Sequence, residues 1–244
     1  MVHRHERPRR LQVIGGGRAG RSFALALAQA GWRVGRVLGR GDQVADAADG
    51  VDLVIIATPD AAIAEVAASI SPRAATVVAH VSGSLGLDVL GPHGRRAAVH
   101  PLVAMPSPEI GAERLISGAW FAVAGDPVAR HVVDDLGGRW FEVADADRAA
   151  YHAAAVIASN HVVALLGQAE RVAAGAGVPF EAYLDLVRAT IDNVAELGPA
   201  AALTGPAARG DWDTIDRHLA ALDPAERDAY QAMVALARRL VADS

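Results

Sequence analysis

Leu11-Gln12-Val13-Ile14-Gly15-Gly16-Gly17-Arg18-Ala19-Gly20-Arg21-Ser22-Phe23 is the stretch whose reading decides the fold. An apolar, strand-like run ends in Gly15-x-Gly17-x-x-Gly20, and an amphipathic run, Ser22 to Leu27, continues as a helix. A strand that turns directly into a helix through three such glycines is the signature of a dinucleotide-binding turn. The first glycine permits the tight turn, the second lets the backbone approach a pyrophosphate, and the third lets helix and strand pack closely. The freed N–H groups and the helix dipole then face the phosphates.

Working outward, seven strand-like runs alternate with helical segments: 11–14, 33–38, 53–57, 76–80, 97–100, 121–124 and 140–143. That alternation predicts a parallel sheet covered by helices on both faces. Gly31 terminates the first helix, and the apolar run ending in Thr58-Pro59-Asp60 reads as a central strand whose carboxyl end meets ligand. After residue 145 the pattern becomes purely helical, over roughly 148–174, 180–197, 212–222 and 224–242. Asp223 with Pro224 and Glu226 spells an N-cap, a first-turn proline and a capping box. The fold expected is α/β, with an N-terminal Rossmann-type dinucleotide-binding domain (11–145) followed by an all-α domain (146–244) for substrate and dimerisation. Residues 1–10 are expected to form a disordered basic tail.

Composition narrows the chemistry. The net charge of −5 gives no basic field for nucleic acid, and the longest apolar runs fall short of the ~18 residues a membrane span needs. Cysteine is absent, which excludes thiolate metal sites and fits a reducing, cytoplasmic setting. All 23 basic residues are arginine, so no lysine can form a Schiff base or act as a general acid. The nine histidines show no ligand spacing, and no metal is expected.

About twenty residues past the third glycine, where NAD-binding turns carry Asp or Glu, the sequence reads Leu38-Gly39-Arg40. Arg40 can pair with a 2′-phosphate, so NADP(H) is the expected cofactor, held by Gly15, Gly17, Arg18, Gly20, Arg40, Thr58 and Pro59. Arg21 reads as a solvated residue.

Four stretches in order, Ile56-Ala57-Thr58-Pro59-Asp60, His80-Val81-Ser82-Gly83-Ser84 with His100-Pro101-Leu102, Tyr151 to Asn160, and Leu203 to Asp211, resemble a bacterial family that joins a Rossmann-like domain to a DUF2520 domain. More distantly the layout is similar to ketopantoate reductases, pyrroline-5-carboxylate reductases and 3-hydroxyacid dehydrogenases. The resemblance implies an NADP-dependent oxidoreductase that delivers a hydride to a small oxo acid, with 2-dehydropantoate the first substrate to test. A cyclic-imine reductase of the pyrroline type, or a dinucleotide-binding sensor without catalysis, are the alternatives. The hydroxyacid and ketopantoate enzymes place a lysine four residues before an asparagine, whereas here Val156 precedes Asn160, so their proton donor does not transfer. Thr204-Gly205-Pro206 is similar to the Thr-Ser-Pro start of the pyrroline-5-carboxylate reductase substrate loop, but lacks the glycine and threonine that follow.

Without lysine, histidine is the natural proton donor. His152 and Ser159 are seven apart, on one helical face, with Asn160 beside them. This stripe serves a polar cavity, or His152 is a core histidine satisfied by a backbone carbonyl. His100, at a strand end, is the second donor candidate, and His80 reads as structural. Ser82 either touches substrate or shapes a turn, and Asn193 is either an amide contact or a surface residue. Arg209 is the expected anchor of an acidic substrate, with Thr204 nearby, and Asp211 reads as a helix N-cap.

Overall fold

The computed structural model describes residues 8–242. Its contacts define two compact units that divide between Ser159 and Asn160.

In the first unit seven strands form one sheet: β1 (Arg10–Ile14), β2 (Arg33–Val34), β3 (Leu53–Ile56), β4 (Val77–His80), β5 (Arg96–Pro101), β6 (Trp120–Gly125) and β7 (Arg139–Glu142), in the order β2-β1-β3-β4-β5-β6-β7. Each run read as a strand is present. The sheet is not wholly parallel, however: β6 runs antiparallel to β5, and β7 parallels β6. The reason is the connection. β5 returns through α3 (Pro108–Leu115) to the end of the sheet where it finished, so β6 runs back along it, and Leu102 N–H donating to Trp120 O closes that turn. β2 is shorter than expected, pairing over two residues, with Gly35 N–H still donating to Leu11 O before the chain regains β1 at a bridge between Ile14 and Leu38. Between them Gln12 reaches the Arg36 carbonyl with its side chain.

Period-two alternation sorts the strand residues onto two cores. Leu11, Val13, Leu53, Ile55, Val77, Ala79, Ala97 and Val99 pack with α1 (Arg18–Gln29), α3 and α4 (Val128–Asp135). Ile14, Val54, Ile56 and Val78 face the other way, onto α2 (Asp60–Ser69) through Ile63 and Ala67. β3 is fully buried on both faces, as a central parallel strand must be.

The expected basic tail through residue 10 ends sooner. Arg10 belongs to β1, with its N–H donating to Asp52, and Arg9 pairs with Asp135 at 2.7 Å. Residues 1–7 lie outside the described residues. Past the sheet, α5 (Arg148–Val156) runs through a π-turn, Ile157–His161, into α6 (Val162–Gly175). The pattern changes to helix near residue 145 as read, but the compact units part 14 residues later, because α5 still packs on the sheet side through Tyr151, which meets His100 and Phe141.

The second unit holds α6, α7 (Glu181–Leu197), α8 (Pro199–Ala202), α9 (Pro206–Arg209), α10 (Trp212–Ala221) and α11 (Pro224–Ala242). Asp211 caps α10, accepting from Thr214 N–H at 3.1 Å and Thr214 Oγ1 at 2.8 Å. Asp223 accepts from Ala225 N–H, but Glu226 does not complete the capping box: its carboxylate takes a two-pronged pair with Arg171, a stronger charge-assisted contact. Contrary to the reading of short apolar runs, the helical stretch Asp145–Gly175 is long and apolar enough, by length and composition, to cross a membrane. Alanine raises its average where no long uninterrupted run exists.

Candidate functional site

The strand order reverses between β1 and β3, and ligands of open α/β sheets enter at the carboxyl ends of strands at such a point. The β1–α1 glycine turn and the β3–α2 turn meet there around a cleft of about 800 Å³, lined by Gly15, Gly17, Arg21, Arg40, Thr58 and Pro59 among others.

Each glycine of the turn has a separate reason. Gly15 adopts φ +121°, and a Cβ there would run into the Ala57 carbonyl; a Cβ on Gly20 would run into the Gly15 carbonyl. Those two are needed by the fold itself. Gly17 has nothing within 4 Å of where its Cβ would be, so the fold does not require it. The open space there leaves room for a pyrophosphate to approach the α1 N-terminus. Thr58 Oγ1, buried and without a hydrogen-bond partner, is a second polar group at this cleft. The residues present therefore fit a dinucleotide.

Arg40 is exposed at the rim, on a loop held by Asp42, which accepts from Gly39 N–H at 2.7 Å and from both terminal nitrogens of Arg36. Arg36, unremarked in the sequence, keeps the Asp42 carboxyl below its ordinary range and pairs with an acid beside the cleft. Arg18 does not line the cleft; Arg21 does. Helical side chains lean back toward the N-terminus, so a residue one turn into α1 covers the glycine turn.

At the same edge of the sheet lies a second cluster. His80 ends β4, His100 is the penultimate residue of β5, and the register pairing His80 with Ala98 puts both histidines on one face. His100 Nδ1 and the Tyr151 hydroxyl are hydrogen-bonded at 2.6 Å, and the rings of His100 and His152 meet edge-on at 5.6 Å. Gly83 closes the group: a Cβ there would lie 2.5 Å from His152 Nδ1 and 2.9 Å from His100 Nε2. His152 Nδ1 is buried without a partner, so the backbone-carbonyl bond that a core histidine would make from this nitrogen is missing.

Burial, helped by the neighbouring His152 and Arg148, lowers the His100 pKa to about 4, and burial with Arg148 does the same to His80. Burial raises Tyr151 to about 12. At neutral pH His100 is thus neutral and Tyr151 protonated. His80 is structural, as read: Ser82 N–H donates to its Nδ1, leaving Nε2–H to donate to the Gly86 carbonyl at 3.2 Å.

Ser82 shapes a turn rather than facing outward. Its hydroxyl donates to Asp60 at 2.7 Å and accepts from Ser84 and Leu85 N–H, while Ser84 also donates to Asp60. Asp60, in the first turn of α2, so ties the cleft wall to the histidine cluster. The polar stripe along α5 is interrupted. The π-turn shifts the helical phase, Ser159 Oγ donates to the Ala155 carbonyl, and Asn160 falls in the second unit. There Asn193, Thr204 and Arg209 are exposed. Among the described residues no group of three or more His, Cys, Asp or Glu is placed to hold a metal.

Arg148 was missed altogether. Its side chain is fully buried, paired through Nε with Asp145 at 3.3 Å, with both terminal nitrogens unpartnered. The one available signal was a cation at the first position of a helix, against the dipole. Tyr151 was legible only as the proton source left if neither His152 nor His100 serves.

Residues 120–237 match the family model of DUF2520, a domain of unknown function, and residues 40–106 match that of a Rossmann-like domain. No curated protein matches the sequence. Among solved structures, a proposed NADP oxidoreductase from Bacteroides fragilis is similar with a TM-score of 0.78 and 23% identity, over 95% of this chain and 98% of that one. A reductive aminase from Aspergillus terreus, in complex with NADPH4, cyclohexanone and allyl amine, has a TM-score of 0.71 and 15% identity over 96% and 94% of the two chains. A pyrroline carboxylate reductase from Plasmodium falciparum with NADP bound has a TM-score of 0.61 and 13% identity over 95% and 98%. At such identities the likeness is one of fold.

Proposed function

We propose that this chain, which carries a Rossmann-like domain followed by a DUF2520 domain, is an NADP-dependent reductase of a small oxo acid. The observation that carries the reading is Gly17: a glycine the fold does not need, at the mouth of a cleft edged by Arg40 and Thr58. Gly15, Gly17, Gly20, Thr58 and Pro59 would hold the dinucleotide and Arg40 its 2′-phosphate. When bound, that cofactor supplies the hydride. The chain's own part is to hold a proton near the forming alkoxide, and the His100, Tyr151 and His152 cluster supports that role, with His152 the first candidate donor. Arg209 is the proposed carboxylate anchor in the helical unit, with Asn193 and Thr204 the proposed polar contacts of substrate there.

A second reading, reduction of a C=N bond, is favoured by the printed names of two similar structures, a reductive aminase and a pyrroline carboxylate reductase. A screen following loss of nicotinamide absorbance, with 2-dehydropantoate first and cyclic imines alongside, tests both. Tight NADPH binding without turnover on either class would favour a sensor.

The helical unit supports a homodimer. Val163, Leu186, Ile191 and Leu197 are each more than half exposed, and α7 and α11 bury no residue fully. A second copy of the chain is the proposed cover.

A further inference from the structure

Gly83 meets two imidazoles of the candidate proton-delivering cluster with backbone alone: a Cβ on it would lie 2.5 Å from His152 Nδ1 and 2.9 Å from His100 Cε1 and Nε2. The same backbone helps to cover His152 Nδ1, which is buried without a hydrogen-bond partner. An imidazole nitrogen left open would be hydrated, so the place of Gly83 decides whether this one stays dry. Glycine has no side chain to lock it and the freest backbone of any residue, so its place is set by its neighbours.

Those neighbours are serines, and both are tied to one oxygen. Ser82 Oγ donates to Asp60 Oδ2 at 2.7 Å, and Ser84 Oγ donates to the same atom at 2.8 Å. Ser82 Oγ in turn accepts from Ser84 N–H and Leu85 N–H, each at 3.2 Å, which folds the chain around Gly83. On the inner side Ser82 N–H donates to His80 Nδ1, and the Gly86 carbonyl accepts from His80 Nε2. These bonds fasten the two ends of the turn to β4, and Asp60 grips the residues on either side of Gly83. Asp60 is an exposed residue that opens α2 directly after Pro59, where the helix dipole favours an anion. Its carboxylate reaches across to the turn, and hydroxyl bonds to an ionised acceptor are among the stronger ones.

We propose that Asp60 is a positioning residue for the histidine cluster: by clasping Ser82 and Ser84 it holds the Gly83 backbone over His152 Nδ1 and against His100, and so shields that nitrogen from water. Its weight in turnover rests on the reductase reading. The clasp itself is a property of the free protein, so measurements without cofactor or substrate separate a failure of this inference from a failure of that reading.

The test is NMR of the free protein in Asp60→Ala, Asp60→Asn and Ser82→Ala. Asp60 is exposed, so its truncation leaves no cavity and the fold should persist. In Asp60→Ala, amide exchange at Ser84 and Leu85 should quicken about tenfold, and the His152 Nδ1 resonance should move as water reaches it. Asp60→Asn separates grip from charge. Its carboxamide oxygen can accept both hydroxyls without a charge, so exchange and the His152 signal should return most of the way to those of the unmodified protein. Ser82→Ala should reproduce Asp60→Ala, and the double variant should add little to either, because the groups act as one unit. On a substrate that the unmodified protein reduces, Asp60→Ala should lower kcat about tenfold or more with KM for NADPH nearly constant. Absence of turnover by the unmodified protein counts against the reductase reading alone. Unchanged exchange or an unmoved His152 signal in Asp60→Ala would overturn the proposal, as would a fully retained kcat. So would Asp60→Asn behaving like the alanine variant, since the charge rather than the clasp would then be responsible.

Discussion

The Tyr151 hydroxyl lies 2.6 Å from His100 Nδ1, joining α5 to the end of β5. A phenol and an imidazole, each part-buried and each uncharged at neutral pH, form a pair with a proton to give as charge develops on a substrate. No lysine is needed for that chemistry.

The two low-pKa histidines give a pH-dependent stability. His80 and His100 have folded pKa values of about 4, below the ordinary 6.5, so the unfolded chain binds more protons between those limits. Stability should be complete above pH 6.5, fall as pH drops toward 4, and level off below. Each imidazole contributes about 3 kcal/mol to that loss if fully expressed. Urea unfolding at pH 7, 5.5 and 4 measures it, and His100→Gln should flatten the slope by its share. An unchanged slope would remove His100 from the account.

The glycine turn separates folding from binding. Gly17→Ala should leave the melting temperature nearly unmoved while weakening NADPH binding at least tenfold, about 1.4 kcal/mol. Gly15→Ala should destabilise the protein by at least 1–3 kcal/mol, because φ +121° is strained for alanine and the Ala57 carbonyl occupies the space. Calorimetry of both variants, with and without NADPH, checks the contrast. Equal stability losses would contradict it.

NADPH should bind more tightly than NADH. Arg40→Asp should narrow or invert the gap by about 1.5–3 kcal/mol, roughly ten- to hundredfold. Titration calorimetry with both nucleotides decides, and equal affinities in the unmodified protein would refute the assignment.

Proton delivery and anchoring should split kinetically. His152→Ala should lower kcat by about 10²–10⁴-fold with KM nearly constant, while Arg209→Ala should mainly raise KM for an acidic substrate. If His152→Ala retains its rate and Tyr151→Phe does not, the donor is the tyrosine.

Light scattering at micromolar concentration should report about twice the 25.2 kDa chain mass. Leu186→Arg or Val163→Arg should shift the population toward monomer, since each places a charge on an exposed apolar face. A single 25.2 kDa species, or a protein that partitions into vesicles, would count against a second copy as the cover.

What the sequence determined by itself was local. Glycine spacing after an apolar run, alternation of strand and helix, and N-caps such as Asp211 depend on backbone sterics and short-range hydrogen bonds, which neighbouring residues specify. The seven strands, the helical second half and the dinucleotide turn were legible for that reason. Tertiary structure alone decided what distant segments do to one another. It reversed β6 and β7, set Tyr151 against His100 across 51 residues, tied Asp60 to Ser82 and Ser84, and buried Arg148 completely. Burial and charge–charge distance are properties of the packed chain. The full burial of Arg148 at the head of α5 comes from packing that its neighbours in sequence do not specify.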